Sequence, residues 1–196
     1  MRLFTLIILL LSLTACSSPS EIRDNESTIE RVETTPNLVQ HHTVQQDDYR
    51  LHYVSGGNAQ RPSVVFIHGT PGGWGSFATY FEEPDMLKDF QLVSIDRPGW
   101  GRSNYPSADF PVHLSEQSRL LGPLLQDIWQ NNGQQKVILV GHSLGGSLAP
   151  KLAVDYPEYV RAVLILAGDI GPELADARWF NHALDVIPKQ WLPEFW

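Results

Sequence analysis

The sequence predicts an α/β protein built on a mostly parallel sheet with helices on both faces. Three observations carry this. Ser63–His68, Gln91–Ile95, Lys136–Val140 and Ala162–Ala167 are short, continuous apolar runs of the kind found in strands buried on both faces. Segments with helical periodicity alternate with them. The chain has 196 residues, 42% hydrophobic and 18% charged, which suits one domain with a sizeable core.

The elements follow in order. Met1-Arg2 is a short positive start, and Leu3–Leu13 is an almost unbroken apolar run. As a helix that run reaches only ~16 Å, about half of a hydrocarbon core, so it reads as a secretory signal and not as a membrane span. It ends in Leu13-Thr14-Ala15-Cys16, which resembles the lipobox of bacterial lipoproteins. That resemblance implies cleavage before Cys16, acylation of the cysteine and a stable lipid anchor at ~0.8 kcal/mol per buried CH₂. Ser17 in place of Asp points to the outer membrane of a Gram-negative envelope. An ordinary secretory signal with a chance cysteine is the other reading. Residues 17–37 are polar and charged, and with almost no apolar content they read as a flexible tether. A short amphipathic helix around Ile22–Val32 is the alternative, but it has few apolar positions for a packed face.

From residue 38 the pattern changes. Leu38–Val44 and Tyr49–Val54 alternate apolar and polar around Asp47-Asp48, which predicts a hairpin. The apolar run Ser63–His68 follows, then Gln91–Ile95. Leu120, Leu124, Ile128 and Leu121, Leu125, Trp129 form one apolar stripe of a helix, with Ser115 as a candidate cap and Gly133 as its stop. Pro123 inside it predicts a kink or a late start. After the strand Lys136–Val140, a helix runs from Leu144 to Tyr156, ended by Pro157. Ala162–Ala167 is the last strand, and the domain spans 38–196, with a lid region from about residue 172.

Three loops carry chemistry. Gly141-His142-Ser143-Leu144-Gly145 matches G-x-S-x-G between a strand and a helix, the setting in which a strained turn lifts a serine hydroxyl above the sheet. The helix N-terminus there favours developing negative charge. His68-Gly69-Thr70-Pro71-Gly72-Gly73 resembles the H-G-x-P loop of α/β-hydrolases, and Asp96-Arg97-Pro98-Gly99-Trp100-Gly101-Arg102-Ser103 resembles their D-x-P-G-x-G-x-S turn. With Tyr156-Pro157-Glu158-Tyr159-Val160 as a fourth phrase, residues 38 to about 170 resemble the α/β-hydrolase superfamily. The resemblance is to the large single-nucleophile branch that includes proline iminopeptidases, carboxylesterases and cofactor-free haloperoxidases.

The resemblance implies Ser143 as nucleophile and the backbone N–H groups of Thr70 and Leu144 as oxyanion donors, each worth ~3–4 kcal/mol by removal. It gives Asp96 a structural part in the loop beneath the site. Epoxide hydrolases and haloalkane dehalogenases share two of these loops but use an aspartate nucleophile, so Ser143 argues for acyl transfer through an ester intermediate. The family places its acid and histidine after the nucleophile. Asp169 is the candidate acid, with a turn residue as its other reading. His182 is the only later histidine, in a stretch that reads as lid, so the pair is expected beyond residue 196 in an incomplete domain. Without that base the chain should hydrolyse p-nitrophenyl acetate barely above background.

The expected function is therefore a lipid-anchored serine hydrolase of carboxylic esters or related acyl compounds, membrane-bound through its N-terminal lipid. The alternatives are a non-catalytic envelope module that binds a ligand on the same fold, or a nonfunctional truncated product. No cofactor or metal is implied: one cysteine excludes a multi-cysteine zinc site, and no Lys follows the glycine loop as phosphate binding requires. A net charge of -8 makes nucleic acid an unsuitable partner.

Overall fold

The computed structural model describes residues 19–105 and 113–168. The signal segment, Cys16, Asp169, His182 and the lid lie outside the described residues. The sheet has six strands: β1 (Val39–Gln45), β2 (Arg50–Gly57), β3 (Ser63–Ile67), β4 (Gln91–Ile95), β5 (Val137–His142) and β6 (Val160–Leu166), in the order β1-β2-β4-β3-β5-β6. The β1–β2 hairpin forms around Asp47-Asp48 as expected, and β2 joins β4 antiparallel. From β4 through β3 and β5 to β6 all pairings are parallel.

Strand alternation sorts the core into two layers. Val65, Ile67, Val93, Ile95 and Leu139 face the helices α3 (Leu114–Asn131) and α4 (Leu144–Asp155), whose Leu120, Leu121, Leu124, Leu125, Leu148 and Leu152 complete that layer. Val54, Val64, Phe66, Leu92 and Val140 face the opposite way, against Trp74, Phe77 and Phe81 of the 3₁₀ segment Trp74–Glu82. A short helix, α2 (Pro84–Asp89), leads from there into β4.

Gly133 stops α3 as expected. It takes φ +73°, and the Gln134 N–H donates back to the Trp129 carbonyl at 2.8 Å, closing the helix end. Two smaller expectations fail. His113, not Ser115, caps α3, with its carbonyl accepting from the Glu116 and Gln117 N–H groups at 3.1 Å. The late start at Pro123 is also absent, because the helix begins nine residues before it.

The larger correction concerns the tether assigned to 16–37. Pro19–Thr34 forms a 16-residue helix, α1, packed on the 3₁₀ segment. Val32 is fully buried, and Ile29 fills the space left by the missing side chain of Gly75. Arg31 donates to Glu82 at 2.8 and 3.0 Å, and Glu33 accepts from Arg102 at 2.7 Å. Two apolar residues three positions apart suffice because Trp74, Phe77 and Phe81 supply the rest of the apolar surface.

Candidate active site

β5 ends at His142, and α4 starts at Leu144, so Ser143 alone makes the turn between them. It sits at φ +52°, ψ −122°, a conformation that costs a non-glycine residue of order 1–3 kcal/mol. The surroundings hold it there. The Ser143 N–H donates to the Leu166 carbonyl of β6, and its carbonyl accepts from the Gly146 and Ser147 N–H groups at 2.8 and 3.2 Å. The turn closes only because Gly141 and Gly145 lack side chains: a Cβ at either would run into backbone, at Gly145 and at Ile67 respectively. Ser143 is half-buried, while the adjacent His142 is exposed.

The loop after β3 lies against this serine. A Cβ on Gly69 would stand 2.8 Å from Ser143 Cβ and 3.3 Å from its Oγ, so the Gly69-Thr70 backbone passes beside the hydroxyl. Leu144, as the first residue of α4, has an N–H without an intrahelical acceptor. The three residues expected to form the nucleophile and its oxyanion donors are thus gathered at the tops of β3 and β5.

His68, the last residue before that loop, is fully buried, and both ring nitrogens are used. Nδ1 faces the Gly69 carbonyl at 2.7 Å and must donate, so Nε2 accepts the Arg97 N–H at 3.0 Å. Burial, and then the Arg97 charge, push this imidazole down to about 3. It is a neutral structural ring, not a base for Ser143.

Asp96 fixes the third loop. Its carboxylate accepts the Trp74 N–H at 2.7 Å, the Arg102 N–H at 2.9 Å and His52 Nδ1–H at 2.7 Å. Burial pushes this carboxyl up, but hydrogen bonds led by that from His52 outweigh it and hold it below its ordinary value. The structural part expected of Asp96 is what these bonds describe. Sequence reasoning missed its partner His52, which stands at a polar position of the β2 alternation and is nevertheless buried. It also missed Arg97, whose signal was a cation next to the aspartate in a turn leaving a buried strand.

The family model for the alpha/beta hydrolase family matches residues 64–196, more than half of the chain. The chain belongs to that family. Among relatives of this alpha/beta hydrolase, human epoxide hydrolase 4 (Homo sapiens) is 31% identical over 163 residues, covering 78% of this chain and 42% of that protein. The 2-hydroxy-6-oxononadienedioate/2-hydroxy-6-oxononatrienedioate hydrolase of Paraburkholderia phymatum is 29% identical over 126 residues, 63% of this chain and 42% of that protein. The solved 2-hydroxy-6-oxo-6-phenylhexa-2,4-dienoate hydrolase of a Rhodococcus species superposes with a TM-score of 0.57 at 25% identity, covering 75% of this chain and 54% of that one. The alpha/beta hydrolase chain therefore spans about half the length, or less, of the proteins it matches.

Proposed function

We propose that this protein is a serine hydrolase of carboxylic esters or related acyl compounds, with Ser143 as nucleophile and the Thr70 and Leu144 N–H groups as oxyanion donors. The observation that carries this reading is Ser143 at φ +52° between β5 and α4, with the Gly69-Thr70 backbone against its hydroxyl. A hydroxyl attacking a carbonyl there places the developing negative charge at a helix N-terminus beside two backbone donors. Similarity to epoxide hydrolases supports a hydrolase, and a serine where those enzymes use an aspartate supports acyl transfer over epoxide opening. Asp169, three residues beyond Leu166 at the end of β6, is the proposed acid. Cys16 is the proposed point of lipid attachment, which puts the enzyme at the bacterial envelope.

A fluorophosphonate probe tests the nucleophile on protein taken from its native cells. Wild type should label and Ser143→Ala should not. Equal labelling of both, or of neither, overturns the reading and favours a binding module on the same fold. For the anchor, palmitate labelling and membrane fractionation should both be lost in Cys16→Ala.

A further inference from the structure

Arg97 is a charged residue almost wholly removed from water, with 1% of its surface exposed. No carboxylate among the described residues pairs with it. Nη1 donates to Gln117 Oε1 at 2.8 Å, and Nη2 donates to the Gly69 carbonyl at 2.8 Å and to Thr70 Oγ1 at 2.5 Å. The guanidinium lies 5.5 Å from the Trp100 ring centre, and its Nε has no hydrogen-bond partner. Burying a cation in this way costs several kcal/mol, and an apolar side chain of similar volume would fill the space without that cost. The arrangement calls for a task that needs the charge.

That task is visible in the peptide the cation touches. The Gly69 carbonyl accepts two donors, His68 Nδ1–H and Arg97 Nη2–H, the second of them charged. The same peptide unit ends in the Thr70 N–H. In a trans peptide the C=O and N–H point in opposite directions, so a carbonyl clamped from behind aims the N–H away from the clamp. Donors on the carbonyl oxygen draw electron density through the amide and make its N–H a stronger donor, the cooperativity seen along hydrogen-bonded chains.

We infer that Arg97 is a positioning residue for the oxyanion site: together with His68 it fixes and polarises the Gly69–Thr70 peptide, so that the Thr70 N–H binds developing negative charge more strongly than an ordinary amide. The inference rests on the reading of Thr70 as an oxyanion donor, and it adds a residue that touches neither substrate nor reacting atoms. Thr70 Oγ1 gives the clamp a second grip on the loop, and Gln117 of α3 holds the guanidinium from the other side. Lysine offers a point charge without the planar fork, so it can serve only part of this role.

The test reads one peptide directly. In a triple-resonance spectrum correlating each amide with the preceding carbonyl, a single peak carries the Gly69 carbonyl carbon and the Thr70 amide. Arg97→Met should move that peak upfield in both heavy-atom dimensions, and Arg97→Lys should move it less, while Val65 and Leu139 stay in place to show an intact sheet. If Arg97→Met does not fold, Arg97→Lys alone gives the readout. In protein taken from its native cells, Ser143-dependent turnover of p-nitrophenyl acetate should fall ~10-fold in kcat with KM nearly unchanged, because the donor is weakened and not removed. An unmoved Gly69 carbonyl in a folded variant overturns the inference, as does a loss confined to KM. Wild type from native cells without Ser143-dependent turnover counts against the proposed function, and the carbonyl peak alone then decides the part played by Arg97.

Discussion

At the scale of single residues, the loops around Ser143 are held by groups that cannot tolerate a change of charge or volume. His68 is the clearest case for charge. Unfolded, its imidazole takes a proton near pH 6.5, and folded it does so only near 3. Between these values the unfolded chain binds more protons, so stability falls as pH falls through that window, by on the order of a few kcal/mol in total. The margin in melting temperature of wild type over His68→Asn should therefore shrink steadily as pH is lowered from 7 to 4, measured by calorimetry. A constant margin would show that the ring is not held neutral. Gly145 is the case for volume. A methyl group there meets the Ile67 carbonyl, so Gly145→Ala should cost at least ~2 kcal/mol in urea denaturation, as overpacking against backbone does. The motif made Gly145 legible in the sequence. What the motif left out was the backbone it touches, because β3 is distant along the chain.

At the scale of elements, agreement between sequence and structure follows how much of each element's stabilisation is local. The strands β3, β4 and β5 fall within two residues of their apolar runs at either end, because burial on both faces leaves a continuous signature. The end of α3 is legible for the same reason, since a glycine at φ +73° is a local device. Helix α1 is the opposite case. Taken alone, Pro19–Thr34 is too polar to bury a face, and it is held by a tertiary partner. Val32→Ala should then lower stability by ~2 kcal/mol, the worth of two buried methylene-sized groups. Arg31→Ala should leave the melting temperature nearly unchanged, because the Arg31–Glu82 pair is exposed to solvent. Equal effects of the two substitutions would mean that the ion pair, and not the apolar contact, seats the helix.

At the scale of the whole molecule, docking of α1 sets how far the domain would stand from a membrane under the anchor proposed at Cys16. A flexible tether over 16–37 would let the domain stand off by as much as ~70 Å when extended. With α1 formed from Pro19 and packed from Thr28 onward, the proposed anchor at Cys16 reaches at most about 25 Å from the folded body, ~11 Å of chain plus ~14 Å of exposed helix. If Cys16 carries the proposed lipid, neutron reflectometry on a supported bilayer should show the protein layer within about 25 Å of the headgroups. A water-rich gap of several tens of ångströms would mean that α1 undocks at the surface. The same helix brings Glu33 to Arg102, in the loop that Asp96 holds, so the N-terminal segment is part of the structure around the site and not an appendage to it.

The sequence by itself determined the α/β class, the approximate strand positions and the place of Ser143, Thr70 and Leu144 on their own elements, because each is written in a local pattern: an apolar run, a glycine-bounded turn, a loop directly after a strand. Tertiary structure alone decided that His52 partners Asp96, that Val32 and Ile29 bind the 3₁₀ segment, and that Arg97 reaches back to the Gly69 carbonyl. Those contacts join residues from separate elements, and a hydrogen-bond donor or a half-polar helix shows its partner only when the chain has folded to bring them together.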